Sequence, residues 1–276
     1  MSLHLNGIAL VTGAGHGTGR ECALGYAAEG VKGILLADAN YDAALDAAQE
    51  SETVATHPAF TAVAIQVDMT DPASIAEMIS KVMKTFGRVD YYVDSTRAGY
   101  ADVSATESES SGLDRIWQDS AEGTLHCIHA VAQVMKNQTA GKYKYRGQVR
   151  EAGRGSIVTV GAPSIGLGKD TVPEDAVLGL IRKAGIGLAA CEIRVNAVCP
   201  GLTDNVDPVL DGKIDPLVIK SAVPMARKAR PEEIADIALF LSSPRASYVT
   251  GAAWVVDGGM KVQVEIANEM GNELGH

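Results

Sequence analysis

A glycine-rich turn near the start of the chain constrains the fold more than any other feature of the sequence. The apolar run Ile8–Val11 leads into Thr12-Gly13-Ala14-Gly15-His16-Gly17-Thr18-Gly19, and a stretch of helical periodicity follows at once. Gly13 permits a tight turn out of a strand, Gly17 lets the backbone approach a pyrophosphate, and Gly19 lets the helix pack closely on the sheet. Free N–H groups at the start of that helix can bind the pyrophosphate. The turn therefore predicts a dinucleotide-binding fold.

Short apolar runs alternate with longer helical stretches along the rest of the chain. The runs that predict strands are Ile8–Val11, Gly33–Leu36, Ala62–Val67, Tyr91–Val93, Ile157–Val160, Ile193–Val198 and Ala253–Val256. The stretches that predict helices are Thr18–Glu29, Tyr41–Glu50, Pro72–Phe86, Gly112–Lys136, Asp175–Cys191 and Pro231–Leu241. Nearly continuous apolar runs are typical of parallel strands that helices cover on both faces. The alternation predicts an α/β fold with right-handed crossovers and a doubly wound parallel sheet.

The chain has no internal repeat and no linker that would divide it. We expect residues 1–262 to form one domain that includes the substrate pocket, and residues 263–276 to form a polar C-terminal tail. The stretch Lys136–Arg154 is polar and rich in Gly, Lys and Arg. We interpret it as an enlarged surface loop between a helix and the next strand.

Charge and composition exclude several classes of partner. The net charge is −10, and no run of Lys or Arg is longer than two, so we expect neither a nucleic acid nor an anionic membrane as partner. No window reaches 18 apolar residues, and the N-terminus lacks a signal-peptide core. The four cysteines form neither a Cys-x-x-Cys pair nor a zinc pattern, so we expect no metal site. These features predict a cytoplasmic protein that acts on a small molecule.

An acidic residue ends the second predicted strand. Asp38 lies 19 residues after Gly19, where a carboxylate can accept hydrogen bonds from the ribose hydroxyls of the adenosine. The same carboxylate would repel a 2′-phosphate, and neither Ala39 nor His16 supplies a permanent cation to hold one. We therefore expect NAD(H) as cofactor, with NADP(H) as second choice. The alternative interpretation is an ordinary turn aspartate at a strand end.

Several motifs occur together in one order. The glycine turn, Val67–Asp71, Ile193–Gly201, Ala246–Gly251 and Val256–Gly259 resemble those of short-chain dehydrogenase/reductases, over about residues 6 to 260. The resemblance implies a single-domain Rossmann fold with a seven-stranded parallel sheet in the order 3-2-1-4-5-6-7. It also implies an NAD(P)(H)-binding enzyme that forms a homo-oligomer, a tetramer or a dimer. It implies that Asp68 holds the adenine amino group. The other cofactor contacts that it implies are Gly15, His16, Thr18, Met69, Asp94, Pro200, Gly201, Thr203 and Asn205.

The residues that usually perform catalysis in that family are missing from their expected positions. The family uses a Ser, an Asn, and a Tyr with a Lys four residues later, but none of the eight tyrosines here has Lys at that spacing. Matching the flanking motifs places Ala162 at the serine and Ser120 at the asparagine. It places Asp170 at the tyrosine and Glu174 at the lysine. Arg97 stands at the glycine of the family's Asn-Asn-Ala-Gly, where a bulky cation narrows the floor of the site.

The replacements leave more than one function open. Carboxylates at positions 170 and 174 are wrong for an alkoxide but suited to a cation, so the leading hypothesis is reduction of a C=N or iminium centre in a cationic or imine-containing small molecule. The chain is similar to reductases and Diels–Alderases of fungal indole-alkaloid pathways that derive from this family. A redox-neutral cyclase or isomerase with the dinucleotide as a pocket wall is therefore an alternative, and a catalytically inert cofactor-binding protein is another. Displaced residues, with Ser164 supplying the hydroxyl or Ala98-Gly99 closing the turn, would instead leave an ordinary alcohol dehydrogenase.

Overall fold

The structure is a computed structural model that describes residues 3–96, 122–161, 172–204 and 216–263, without the side chains of residues 172–176. Its strands are β1 Ile8–Thr12, β2 Gly33–Asp38, β3 Thr61–Gln66, β4 Tyr91–Asp94, β5 Gly141–Tyr145, β6 Gln148–Gly153, β7 Gly155–Val160, β8 Ile193–Pro200 and β9 Ala253–Val256. Its helices are α1 Gly17–Glu29, α2 Tyr41–Val54, α3 Pro72–Phe86, α4 Gly123–Lys136, α5 Val172–Ala189, α6 Pro216–Ala222 and α7 Pro231–Ser242.

Seven strands form one sheet in the order β3-β2-β1-β4-β7-β8-β9. Neighbouring strands are parallel throughout, and Val11 of β1 lies opposite both Leu36 of β2 and Val93 of β4. The predicted order is confirmed, because β7, β8 and β9 are the fifth, sixth and seventh strands of this sheet. The order reverses between β1 and β4. In such sheets, ligands bind outside the carboxyl ends of the strands at this point of reversal.

The sheet is covered on both faces, as its nearly continuous apolar strands predict. All five residues of β1 are buried; Ala9 and Val11 join one apolar layer, and Ile8 and Leu10 join the other. Successive side chains of a strand point to opposite faces, so each strand serves both layers. Helices α1 and α7 pack into the first layer, and α3, α4 and α5 pack into the second. This double layer holds the strand ends, and with them the glycine turn, in fixed positions.

The stretch predicted as a surface loop contains a β-hairpin instead. Strands β5 and β6 pair antiparallel between α4 and β7. Arg146 and Gly147 at the tip have φ of 50° and 79°, the backbone that two-residue hairpin turns require. Tyr143 is 8% exposed, whereas Lys142 and Lys144 face solvent. The prediction was wrong because the polar content of the stretch outweighed its alternation of tyrosine and lysine, which has the period of a strand.

Other predictions concern regions beyond what the structure covers. Residues 264–276, nearly all of the predicted tail, lie outside the described residues, so the domain boundary stays a prediction. The predicted helix Gly112–Lys136 is described only from residue 122 onward, and the short helix α6 was not predicted. Among the described helices, none combines the length and the apolar character that crossing a membrane requires.

Candidate functional site

The glycine turn between β1 and α1 has no room for side chains. A Cβ on Gly19 would lie 2.0 Å from the backbone oxygen of Gly13. A Cβ on Gly13 would lie 2.4 Å from the backbone oxygen of Ser95, and Gly13 has φ of 68°. Contacts this short do not occur, and a positive φ strains residues other than glycine. The structure therefore requires glycine at both positions, with Gly19 packed against the turn itself, and their part in binding a diphosphate stays a prediction.

Helix α1 begins directly beside this turn. His16 precedes its first turn in an extended conformation, with no capping hydrogen bond from its side chain, and no acidic residue lies in the first turn. The N–H groups of Gly17, Thr18 and Gly19 belong to this first turn, where a helix supplies no internal acceptor. Unpaired N–H groups and the positive end of the helix dipole favour an anion. The glycine turn lets a ligand come close to its backbone, and it lies next to this helix start. Together they fit a dinucleotide diphosphate.

Asp38 meets the glycine turn at the end of β2. Its Oδ2 accepts a hydrogen bond from the Gly15 backbone N–H at 2.8 Å, and its Oδ1 accepts one from the Asn40 N–H at 3.0 Å. The side chain is partly exposed. A carboxylate can accept about four hydrogen bonds, so Asp38 keeps acceptor capacity for a ligand. The structure thus brings Asp38 to the place where the sequence predicts ribose recognition.

Arg20 lies beside the same turn and was not singled out by sequence reasoning. Its Nη1 donates to the Gly15 backbone oxygen at 3.5 Å, and its Nε donates to the Glu50 carboxylate at 3.0 Å. Its Nη2 also contacts Glu50. Because Glu50 compensates the guanidinium charge, Arg20 is poorly suited to hold a 2′-phosphate. Glu50 is one of four acids on α2, and nothing in the sequence connects it to Arg20 before the fold is known.

Asp94 ends β4 in a buried cluster of hydroxyl groups. Its side chain is 2% exposed. Its Oδ1 accepts hydrogen bonds from Thr12 Oγ1 at 2.9 Å and from the hydroxyl and N–H of Thr96, at 2.5 and 3.1 Å. Its Oδ2 accepts one from Thr124 Oγ1 at 2.8 Å. The carboxylate therefore connects β1, the loop after β4 and helix α4 by hydrogen bonds. Its predicted contact with the cofactor stays a prediction.

Two further groups beside this cluster stay protonated at neutral pH. Burial, together with the charge of Asp94, raises the pKa of the Cys127 thiol to about 12. Burial, with a smaller contribution from Asp94, also raises the pKa of Tyr92 well above its ordinary value. The Tyr92 hydroxyl is 3.2 Å from Thr12 Oγ1. Neither group can therefore serve as a thiolate or phenolate base. We assign both of them a structural role beside the site.

Asp68 and Met69 follow β3 on the same edge of the sheet. Asp68 Oδ1 accepts hydrogen bonds from the hydroxyl and the N–H of Thr70, at 2.7 and 2.8 Å. These bonds lower the pKa of Asp68 further below neutral, and the carboxylate is exposed. Met69 is 9% exposed, with its Sδ 3.7 Å from Cys127 Sγ. The exposed carboxylate of Asp68 is open to a ligand, as the predicted contact with the adenine amino group requires.

The predicted lining after β8 is described in part. Pro200 ends β8, and a Cβ on Gly201 would lie 2.7 Å from the Cα of Asp257. Thr203 Oγ1 donates to the Gly201 backbone oxygen at 3.3 Å, and its backbone pairs with Ala229. Asn205 lies outside the described residues. The described part of this lining thus lies at the carboxyl edge of the sheet, like the glycine turn.

The predicted catalytic positions remain untested. Arg97, Ser120 and Asp170 lie outside the described residues, and so does Ala162. Glu174 belongs to α5, but its side chain is not among those described. The carboxylate-rich substrate site is therefore a prediction from the sequence alone.

Comparison with known proteins places this arrangement in a family. A family model described as "Enoyl-(Acyl carrier protein) reductase" matches residues 13–261. The short-chain dehydrogenase anuF of Penicillium roqueforti is 44% identical over 274 residues, which cover 96% of this chain and 99% of that protein. The short-chain dehydrogenase srdC of Neurospora crassa is 35% identical over 275 residues, covering 96% of this chain and 100% of that protein.

Solved structures agree with the sequence relatives. A short-chain dehydrogenase/reductase from Mycobacterium marinum superposes with a TM-score of 0.79 at 29% identity, covering 94% of this chain and 97% of that one. A 7α-hydroxysteroid dehydrogenase in complex with NADH and 7-oxoglycochenodeoxycholic acid superposes with a TM-score of 0.78 at 25% identity, covering 94% of this chain and 96% of that one. The motifs, the strand order and these matches extend over nearly the whole chain, and the protein belongs to the short-chain dehydrogenase/reductase family.

Proposed function

We propose that this protein is an NAD(H)-dependent oxidoreductase of fungal-type secondary metabolism that reduces a C=N or iminium centre in a small molecule. The observation that carries the choice of cofactor is the Asp38 carboxylate, which lies hydrogen-bonded to Gly15 beside the glycine turn. A negative charge at this place favours ribose hydroxyls over a 2′-phosphate. The partly exposed side chain supports this role, because a buried one could not reach a ligand.

The described residues bind and orient the cofactor. The first-turn N–H groups of α1 bind the diphosphate, Asp38 accepts from the ribose, and Asp68 accepts from the adenine amino group. Thr203 and the backbone after Pro200 hold the nicotinamide end. When bound, the nicotinamide supplies or accepts a hydride. The protein's remaining task is to bind the substrate and stabilise its charge.

The proposal for the substrate rests on the sequence. An alkoxide needs a proton donor and a nearby cation, and the Tyr-x-x-x-Lys pair that supplies both is absent. An iminium that is reduced becomes a neutral amine, so no oxyanion has to be stabilised. Carboxylates at positions 170 and 174 would favour the positive charge of such a substrate before reduction. The dehydrogenases of Penicillium and Neurospora support the wider assignment to an oxidoreductase of fungal-type metabolism.

The cofactor is tested by titrating the protein with NADH and with NADPH and following the nicotinamide fluorescence. We expect the Kd for NADH to be lower by at least about tenfold, because the carboxylate disfavours the added phosphate by roughly 1.4 kcal/mol or more. Equal or tighter binding of NADPH would contradict the proposal.

The reaction is tested with NADH and a panel of cyclic imines and matching ketones. We expect loss of NADH absorbance with an imine, and loss of that activity in Asp170→Asn but not in the control Asp46→Asn, which changes an exposed aspartate on α2. Substrate that rearranges while NADH is not consumed would contradict a reductase and support the cyclase alternative. Turnover of ketones alone would contradict the choice of substrate.

A further inference from the structure

The hairpin β5–β6 concentrates positive charge that the proposed cofactor and substrate sites do not use. Residues 141–153 contain one acid, Glu151, and four cations, Lys142, Lys144, Arg146 and Arg150, whereas the whole chain has a net charge of −10. The hairpin joins the end of α4 to the start of β7, so it lies at the amino edge of the sheet, opposite the glycine turn. A partner bound there would leave the cofactor edge open.

The hairpin is held on the body of the protein, although an isolated pair of strands is only marginally stable in water. Tyr143 is buried, its hydroxyl donates to the Pro244 backbone oxygen at 3.4 Å, and its ring centre lies 5.9 Å from that of His4. At the base of the hairpin, Arg154 Nη1 donates to the Gln138 backbone oxygen at 2.8 Å. The hairpin is therefore a preformed surface, and a ligand does not have to order it.

Two cations of the hairpin are oriented by one aromatic ring. The guanidinium carbons of Arg146 and Arg150 lie 5.3 and 5.1 Å from the centre of the Tyr145 ring. In the part of the chain that the structure describes, no carboxylate lies at ion-pair distance from either guanidinium, whereas Glu151 pairs with Lys142 at 3.3 Å. A guanidinium that stacks on a ring keeps its N–H edge for a carboxylate. Arg146 and Arg150 are thus two oriented groups that can bind carboxylates.

The second strand of the hairpin has a free edge. Strands β5 and β6 form a sheet of two strands, and among the described residues no third strand pairs with β6. Residues 148–151 are exposed, and the exposed fraction of Val149 is 68%. Val149 and Arg150 are successive residues of β6, so their side chains point to opposite faces of the hairpin. An extended segment paired with this edge would therefore place alternate side chains beside Arg150 and beside Val149.

The charge pattern favours an acidic segment of a protein over other anions. A nucleic acid or an anionic membrane presents an extended field of negative charge, and the net charge of −10 of the whole chain repels such a field. A short acidic segment contacts the hairpin without approaching the rest of this acidic chain. The free strand edge, in addition, pairs only with a peptide backbone, which neither a nucleic acid nor a membrane offers.

We propose that the hairpin β5–β6 docks an extended acidic segment of a partner protein, which pairs with the free edge of β6. Carboxylates of the segment bind Arg146 and Arg150, and apolar side chains between them pack on Val149. The inference is independent of the reaction that the protein catalyses, because no residue of the hairpin has been assigned to the cofactor or the substrate.

The docking mode is tested by fluorescence anisotropy on the full chain, with the labelled peptide acetyl-Glu-Val-Glu-Val-Glu-Val-Glu-amide as probe. We expect this peptide to bind at least about tenfold more tightly than the same peptide with glutamine in place of glutamate, and more weakly as salt is added. We also expect at least about a tenfold loss when the acidic peptide is N-methylated at every residue, which keeps its charge but removes the N–H donors. Equal affinity for the acidic peptide and either of these two peptides would overturn the proposal.

The site is tested with the double variant Arg146→Gln/Arg150→Gln. Both side chains are exposed, so we expect the variant to fold and to bind NADH within about twofold of wild type, while it loses at least about tenfold in affinity for the acidic peptide. The matched control Lys81→Gln/Lys84→Gln removes two exposed cations from α3 and should bind the peptide like wild type. Undiminished peptide binding in the Arg146/Arg150 variant, or an equal loss in the control, would overturn the proposal.

Two further measurements separate the acidic segment from other occupants of the hairpin. A single-stranded DNA oligonucleotide, and vesicles of phosphatidylcholine with phosphatidylserine, replace the peptide in the same assay, and we expect both to bind more weakly than the peptide. Sedimentation compares the oligomeric states of wild type and the Arg146/Arg150 variant, and we expect them to be equal. Tighter binding of DNA or of vesicles would overturn the proposal in favour of that partner. Dissociation of an oligomer in the variant would overturn it in favour of a second copy of the chain.

Discussion

Two aspartates end the strands on either side of β1, and their surroundings use them differently. Asp38 ends β2, is partly exposed, and accepts hydrogen bonds from two backbone N–H groups. Asp94 ends β4, is 2% exposed, and accepts hydrogen bonds from three hydroxyls and one N–H. The number of donors around each carboxylate decides its role. Asp38 keeps acceptor capacity for a ligand, whereas Asp94 holds three parts of the chain together.

The largest effect should follow from removing the buried carboxylate. In Asp94→Ala the buried hydroxyls of Thr12 and Thr124 lose their acceptor, and we expect the free energy of unfolding to fall by about 3 kcal/mol. Urea denaturation followed by circular dichroism, at one fixed protein concentration, measures the change. A loss below about 0.5 kcal/mol would show that the cluster does not stabilise the fold.

The next largest effect should come from adding a side chain to the glycine turn beside Asp38. A Cβ in Gly19→Ala would meet the Gly13 backbone oxygen at 2.0 Å, so the turn must move, and we expect NADH affinity to fall by about 100-fold or more. Gly187→Ala is the matched control, because nothing lies within 4 Å of its Cβ. Equal binding of NADH by both variants would contradict the proposed role of the glycine turn.

A smaller effect should come from removing one donor of the Asp94 cluster. Thr124→Val keeps the shape of the side chain but removes the hydroxyl that donates to Asp94 Oδ2. We expect a loss of about 1 kcal/mol in the free energy of unfolding, since three donors to the carboxylate remain. The same urea denaturation measures it. A loss as large as that of Asp94→Ala would mean that the Thr124 hydrogen bond alone accounts for the stabilisation, rather than all four hydrogen bonds contributing to the free energy of unfolding.

The sequence predicted the cofactor half of the fold in detail because the determinants there are local. Gly13 and Gly19 lie in one turn, and Asp38 ends the next strand, so the motif alone places them. The doubly wound parallel sheet followed from the alternation of elements and from right-handed crossovers, and the strand order followed from the family resemblance. The role of Asp94 was not predicted, because its partners Thr12 and Thr124 are 82 and 30 residues away along the chain.

One further feature escaped prediction. The hairpin β5–β6 has a polar sequence that resembles a loop until its alternation and its turn are considered together. The hydrogen-bond cluster around Asp94 depends on tertiary packing, which the periodicity of one segment cannot reveal. The predicted catalytic positions, by contrast, rest on alignment to family motifs.

The most direct test of the account measures NADH affinity and urea stability together in the matched variants Asp38→Asn and Asp94→Asn. Both replace one carboxylate by an amide of nearly equal size. For Asp38→Asn we expect the Kd for NADH to rise by about tenfold or more, with the free energy of unfolding within about 1 kcal/mol of wild type. For Asp94→Asn we expect a loss of about 1–2 kcal/mol in stability, with a smaller rise in the Kd for NADH than in Asp38→Asn. The opposite pattern, in which Asp38→Asn binds NADH normally and Asp94→Asn does not, would contradict the assignment of Asp38 as the residue that recognises the cofactor.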